Sequence, residues 1–208
     1  MIVLIVMSPW LPVYFSSYGE AILFSVVFYG WVASEIIGSM IIPRLHQYRS
    51  GVKLERKDRG SGMAVIIGVI AAIFVTFAFS REKIAVLPEW TFYLGIALMI
   101  GGIVLRQWSI AILGKYFSML VSIQKGQAII REGPYEFIRH PSYTGALLTL
   151  IGIGFAIQSW GALLILILVF GIVYGYRIYI EEKALVAQMG DEYITYMEDT
   201  KMLIPFIL

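Results

Sequence analysis

The sequence contains no cysteine, few charged residues and only two histidines. Without cysteine, the chain has no disulfide, no cysteine-ligated metal site and no thiol nucleophile. Charged residues make up 14% of its 208 residues, whereas soluble domains carry about 25%. The net charge of +2 is too small to indicate a nucleic-acid partner. The composition therefore excludes several kinds of site and disfavours a soluble protein.

Apolar sequence makes up most of the chain. Hydrophobic residues account for 59% of it, and the mean hydropathy is +0.81. Several apolar runs reach the roughly 17–25 residues that cross a bilayer as a helix. We predict an all-α integral membrane protein with about five transmembrane helices, preceded by a short interfacial or partly inserted apolar segment over residues 1–14. The predicted spans are residues 21–42, 63–79, 90–113, 142–157 and 161–176.

Three residues in or beside these spans lead to specific predictions. Glu35 lies within the first span, where an ionisable side chain usually faces the bundle interior and marks function; pairing with a neighbouring helix is the alternative. Pro43 is expected to end that span, because proline cannot continue the helical hydrogen bonding. Arg106 lies near the cytoplasmic end of the third span, from which a long side chain can extend to water.

The basic residues predict the orientation of the chain. Five spans place the two termini on opposite sides of the membrane. With the N-terminus outside, fourteen of the sixteen Lys and Arg residues fall on the cytoplasmic side, and only Arg81 and Lys83 fall outside. Cytoplasmic loops carry such an excess of Lys and Arg. We therefore predict a multi-pass protein with a cytoplasmic C-terminus.

The most polar and turn-rich passage between apolar regions is residues 133–145, GPYEFIRHPSYTG. Pro141 fits the first turn of a helix, where its missing N–H would be unpaired anyway. His140 would then lie at the helix N-terminus, where free backbone N–H groups attract anions. Tyr135, Arg139 and Tyr143 accompany His140 in this passage. We predict that it binds the acidic end of a cofactor.

A second polar cluster follows the last apolar segment. The link at residues 158–160 is short, which predicts a tight antiparallel helical hairpin. The second helix is expected to continue past Arg177 to Gly190, and Asp191 to cap a final amphipathic helix through Thr200. Because the hairpin is antiparallel, Arg177, Glu181 and Glu182 should lie beside the first polar cluster. Glu181 and Glu182 point about 100° apart on a helix, so they should contact different partners.

A pocket between the two clusters would offer cations on one side and carboxylates on the other. That arrangement suits a small zwitterion. It is not a metal site, because the two clusters together hold one histidine and no ligand spacing. An ordinary surface pair between Arg177 and Glu181, worth under ~1 kcal/mol, is the structural alternative.

The combined motifs resemble a known family. Gly133-Pro-Tyr-x-x-x-Arg-His-Pro-x-Tyr-x-Gly145, Arg177-x-x-x-Glu-Glu182 and Gly190-x-x-Tyr193-x-x-Tyr196 are similar to those of the isoprenylcysteine carboxyl methyltransferase family and the related phospholipid methyltransferases. The resemblance covers roughly residues 112–205. It implies two regions, residues 1–113 with the N-terminal transmembrane helices and residues 114–208 with the methyltransferase-like module.

The resemblance also implies a reaction and a set of site residues. The chain would be an S-adenosylmethionine-dependent methyltransferase that acts on a lipophilic or lipidated acceptor entering from the bilayer, with a prenylcysteine-type carboxylate favoured. Arg177 and Glu181 would lie nearest the methyl-transfer centre. The cofactor site would be lined by Tyr135, Arg139, His140, Tyr143, Glu181 and Glu182.

Two positions depart from the family pattern, and two other functions stay open. Phe117 stands where tryptophan is common, and Gln127 where histidine is frequent, which leaves the identity of the acceptor open. An NADPH-dependent membrane reductase of the sterol-reductase type has a similar Arg-His-Pro turn, but its phosphate would call for more basic residues around the pocket. A small transporter or scaffold would carry polar residues at mid-membrane in several spans, whereas here only Glu35 does.

Overall fold

A computed structural model describes residues 14–50, 55–56, 58–80, 85–123 and 128–204. The predicted interfacial segment over residues 1–14 and the departure at Gln127 lie outside the described residues, except for Tyr14. In chain order the helices are α1 (Tyr18–Ser34), α2 (Ile42–Ser50), α3 (Ser61–Ser80), α4 (Thr91–Leu113), α5 (Pro141–Ala156), α6 (Trp160–Met189) and α7 (Asp191–Asp199).

Among the described residues, four helical segments are long and apolar enough to cross a membrane: Tyr18–Arg49, Ser61–Ser80, Thr91–Tyr116 and Trp160–Met189. The fifth apolar helix, Pro141–Ala156, is shorter. In the described ranges, the strands are β1 (Glu55–Arg56) and β2 (Ser122–Ile123), which form an antiparallel two-stranded ribbon. The prediction of an all-helical integral membrane protein is confirmed. The predicted count of about five spans stays a prediction, because α5 is shorter than the other four helical segments.

The prediction that Pro43 ends the first span is wrong. A π-helical turn, Glu35–Ile41, joins α1 to α2, and the helix continues through Pro43 to Ser50. The backbone N–H of Ile42 donates to the carbonyl of Ile37, five residues back. This wider hydrogen-bond register immediately precedes the proline, where the regular ladder would otherwise be interrupted.

Arg106 does not extend to water, so that prediction is also wrong. Its guanidinium is buried and binds both carboxylate oxygens of Glu35, through Nε and Nη2, with Nη2 2.8 Å from Oε2. Its Nη1 donates to the carbonyl of Ser142 at 3.1 Å, in the first turn of α5. Glu35 is therefore paired with a neighbouring helix, and the pair joins the π-helical turn, α4 and α5.

The closest helix pair is α4 with α5, and glycines make this approach possible. A Cβ added at Gly102 would lie 2.5 Å from the carbonyl oxygen of Gly145. The reciprocal Cβ at Gly145 would lie 2.6 Å from the carbonyl oxygen of Gly102. Small residues allow membrane helices to pack backbone against backbone in this way. The contact fixes the position of the N-terminus of α5 against α4.

The terminal hairpin has the predicted form. Ser159 caps α6, since its Oγ accepts a hydrogen bond from the N–H of Ala162 at 3.2 Å. Gly190 ends α6 with φ +59°, a left-handed conformation that favours glycine. It also occupies the N-cap position of α7, so the prediction that Asp191 is the cap is wrong; Asp191 is the first residue of the helix. The cap at Gly190 turns α7 back toward the start of α5.

Candidate functional site

One cavity contains most of the predicted site residues. It is lined by the end of α4, the segment around Phe117, the turn before α5, the second half of α6 and α7, and it holds about 880 Å³ of free space, counting its open mouth. Six of the seven predicted site residues line it. They are Tyr135, Arg139, His140, Tyr143, Arg177 and Glu181.

Glu182 does not line the cavity, but it connects the polar cluster of α6 to the polar cluster before α5. Its Oε1 accepts a hydrogen bond from Nε of Arg139 at 2.9 Å and lies 3.1 Å from Nε2 of His140. Nη1 of Arg139 also donates to the carbonyls of Met197 and Thr200. Glu182 therefore neutralises Arg139 and fixes the turn before α5 against α6.

The N-terminus of α5 offers less to an anion than predicted. His140 occupies the N-cap position, as expected, but its side chain makes no capping hydrogen bond. The N–H groups of Tyr143 and Thr144 both donate to the carbonyl of His140, and the N–H of His140 donates to Met202. Among the first residues of α5, Ser142 is left with an N–H that has no acceptor in the described part of the chain.

Glu181 faces the other way from Glu182 and contacts Tyr143. The phenol of Tyr143 donates to Oε2 of Glu181 at 2.5 Å and accepts from Nε of Arg177 at 3.1 Å. The prediction that the two glutamates contact different partners is confirmed. Arg177 and Glu181 share a face of α6, but the phenol of Tyr143 connects them instead of a direct ion pair.

Arg177 makes its ion pair with a residue that sequence reasoning missed. Nη1 of Arg177 contacts Oδ1 of Asp58 at 2.5 Å and Oγ of Ser61 at 3.1 Å. Both partners of the ion pair are buried; Asp58 is 1% exposed and Arg177 is 4% exposed. The sequence offered one signal for Asp58, an acidic residue just before a predicted helix, and that signal indicates a cap rather than a partner for Arg177.

Asp58 also binds backbone from two separate parts of the chain. Its Oδ1 accepts from the N–H groups of Gly62 and Val121, both at 3.1 Å, and from the hydroxyl of Ser61 at 2.8 Å. Burial by itself raises the pKa of Asp58, but these hydrogen bonds and the charge of Arg177 hold that pKa below its ordinary value. Asp58 is therefore an anion that joins the start of α3, the segment before β2 and α6.

Three tyrosines form the remaining polar wall. The phenol of Tyr196 donates to the carbonyl of Tyr135 at 2.8 Å, and burial raises the pKa of Tyr196 to about 12. Burial, together with the nearby charge of Glu181, also raises the pKa of Tyr135 and of Tyr193. All three stay neutral phenols at physiological pH, so they add no charge to the cavity.

The charges of the cavity wall are unevenly compensated. Arg139 is paired with Glu182, and Arg177 with Asp58. Within the part of the chain that the structure describes, Glu181 has no ion pair; its one hydrogen bond comes from Tyr143. The cavity therefore presents a carboxylate to a ligand, while its two arginines are already neutralised.

Comparison with known proteins supports the resemblance seen in the motifs. The sequence model of the isoprenylcysteine carboxyl methyltransferase family matches residues 95–187. A protein-S-isoprenylcysteine O-methyltransferase from Tribolium castaneum is 32% identical over 57% of this chain and 43% of its own length. One from Saccharomyces cerevisiae is 34% identical over 55% of this chain and 48% of its own length. The chain thus spans about half the length of these curated relatives.

The fold has a solved counterpart. The structure of the eukaryotic intramembrane Ras methyltransferase ICMT matches 91% of this chain and 66% of its own chain, with a TM-score of 0.58 and 23% identity. This likeness supports the helical membrane architecture described above. The sequence matches confirm the predicted resemblance to the family.

Proposed function

We propose that this chain, a relative of the isoprenylcysteine carboxyl methyltransferase family, is an integral membrane methyltransferase that uses S-adenosylmethionine. The favoured acceptor is the carboxylate of a prenylcysteine-type C-terminus, which reaches the cavity from the bilayer. The proposed site residues are Arg177 and Glu181 at the reacting centre, with Tyr135, Arg139, His140, Tyr143, Glu181 and Glu182 building the cofactor site. The proposal also places the N-terminus outside and the C-terminus in the cytoplasm.

The observation that carries the proposal is the uncompensated carboxylate of Glu181. S-adenosylmethionine carries a sulfonium and an α-ammonium group, and both are cations that a carboxylate attracts. The 2′-phosphate of NADPH would instead need free cations, whereas Arg139 and Arg177 are each neutralised by a carboxylate. This distribution of charge favours the methyltransferase over the reductase alternative.

The other residues of the cavity fit the remaining parts of the cofactor. Arg139 and Ser142 both line the cavity. Among the described residues, Nη2 of Arg139 and the backbone N–H of Ser142 have no hydrogen-bond acceptor. These two groups can donate hydrogen bonds to a carboxylate, although Glu182 already balances the charge of Arg139. Apolar side chains suit the adenine ring and an apolar acceptor, and they come from the end of α4, the segment after it and the end of α6: Leu113, Phe117, Leu120, Val121, Ile130, Leu185 and Met189.

The proposed reaction requires little acid–base catalysis from the residues of this chain. S-adenosylmethionine, when bound, supplies an electrophilic methyl group. A carboxylate acceptor is ionised at neutral pH, so no general base is required. The longest hydrogen bond of the Arg177 guanidinium runs from Nη2 to the carbonyl of Ser118, at 3.5 Å. Nη2 is therefore the nitrogen that we expect to orient the acceptor carboxylate. Such positioning can contribute up to ~7–11 kcal/mol to catalysis.

The test is ligand binding to the purified full-length protein in detergent. S-adenosylmethionine and S-adenosylhomocysteine should raise the melting temperature, and NADPH should not. Labelled methyl transfer to a farnesylated cysteine derivative should follow. Stabilisation by NADPH alone would overturn the proposal.

A single substitution tests the role given to Glu181. Glu181→Gln keeps the acceptor for Tyr143 but removes the charge, so we expect at least about tenfold weaker binding of S-adenosylmethionine. Glu192→Gln, an exposed glutamate on α7, is the matched control. Equal affinity of the Glu181→Gln variant and the unaltered protein would remove Glu181 from the cofactor site.

A further inference from the structure

The residues that surround Arg177 carry an inference beyond the proposed site. Asp58 lies 119 positions before Arg177 and outside the region that the family model matches. It is fully buried, and it accepts hydrogen bonds from Ser61, Gly62, Val121 and Arg177. A helix cap needs only the first two of these contacts, so capping of α3 does not explain the whole arrangement.

Arg177 has two carboxylates within reach. One is Asp58, which it contacts directly. The other is Glu181, four residues further along the same face of α6. Arg177 and Glu181 both contact the phenolic oxygen of Tyr143, at 3.1 Å and 2.5 Å. A buried arginine without Asp58 would need another counter-charge, and Glu181 is the carboxylate placed to provide it.

We propose that Asp58 is a positioning residue that holds Arg177 away from Glu181 and so reserves the charge of Glu181 for the cationic groups of the cofactor. Asp58, Arg177 and Glu181 together carry a net charge of one negative unit. Without the charge of Asp58 the group is neutral, and its attraction for a cation is lost. The inference rests on the proposed function, because it assumes a cationic cofactor next to Glu181.

The test measures cofactor affinity in Asp58→Asn. Asparagine caps a helix about as well as aspartate, and its side-chain oxygen still accepts from Gly62 and Val121, so the substitution removes chiefly the charge. We expect S-adenosylmethionine to bind at least about tenfold more weakly. Adenosine, which carries no cation, should bind with unchanged affinity. The matched control is Asp191→Asn, an exposed aspartate in the first turn of α7.

A second variant keeps the test decisive if Asp58→Asn fails to fold. Asp58→Asn combined with Arg177→Met removes the competing cation as well, and it leaves no lone buried charge. This double variant should bind S-adenosylmethionine within about threefold of the unaltered protein, because Glu181 is again uncompensated. Binding more than about tenfold weaker in the double variant would overturn the inference, since Asp58 or Arg177 would then act by another route.

The outcomes separate the inference from the function on which it rests. If the unaltered protein binds neither S-adenosylmethionine nor S-adenosylhomocysteine, the proposed function fails. If the unaltered protein binds them and Asp58→Asn binds them equally well, the function stands and the inference is overturned. Parallel loss of adenosine binding in Asp58→Asn would also overturn it, because that result indicates a collapsed cavity rather than a lost charge.

Discussion

At the scale of single residues, the two adjacent glutamates of α6 have separate tasks. Glu182 neutralises Arg139 and fixes the turn before α5, whereas Glu181 faces the cavity with a phenol as its partner. The 100° between neighbouring helical positions makes this division possible. One carboxylate thereby contributes to the architecture, and the other has no ion pair among the described residues.

Asp58 gives stability a specific pH dependence. Its folded-state pKa lies below the ordinary value of 3.8, so its contribution to stability is present above that value and is lost as the pH falls through the folded pKa. We expect the unaltered protein to melt at a higher temperature than Asp58→Asn at pH 6. The difference should shrink below pH 4, as measured by thermal unfolding in detergent. A difference independent of pH would contradict this assignment.

At the scale of helices, the contact between α4 and α5 depends on single glycines. Gly102→Ala places a methyl group 2.5 Å from a backbone oxygen of α5, so the two helices must separate. We expect a loss of ~1–3 kcal/mol in unfolding free energy, typical of overpacking. The neighbouring Gly101→Ala is the control, since its Cβ would meet nothing within 4 Å. Equal stability of the two variants would show that the close contact contributes little.

The Glu35–Arg106 pair joins the π-helical turn to α4 and α5. Glu35→Gln leaves the buried guanidinium without its counter-charge, and we expect ~3–5 kcal/mol of destabilisation. Combining Glu35→Gln with Arg106→Met removes both charges and should recover part of that loss. A double-mutant cycle followed by thermal unfolding measures the coupling. Additive effects would show that the two side chains act independently.

At the scale of the whole molecule, the orientation in the membrane can be read directly, because the chain has no native cysteine. His46→Cys and Glu89→Cys each place one thiol at an exposed position, one near the C-terminal end of the first helical segment and one before the third. In intact cells, a membrane-impermeant maleimide should label Glu89→Cys. It should label His46→Cys only after permeabilisation. The reverse pattern would invert the proposed topology.

The division of the chain into two regions, residues 1–113 and 114–208, stays a prediction. The cavity belongs mainly to the second region, but the ion pair between Asp58 and Arg177 crosses the boundary. A residue of the first region, Asp58, therefore supplies the counter-charge of Arg177. We expect the second region alone to lose the counter-charge of Arg177.

The sequence by itself determined the membrane class, the terminal hairpin and six of the residues that line the cavity. These features follow from local patterns: apolar run length, proline and glycine at helix ends, and the spacing of polar residues on one helix. Only the tertiary structure decided the course of the helix through Pro43, the pairing of Glu35 with Arg106 and the partner of Arg177. Those contacts join residues that are distant along the chain, and their geometry depends on how closely the helices pack. Arg177 is paired with Asp58, and Glu181 has no ion pair among the described residues.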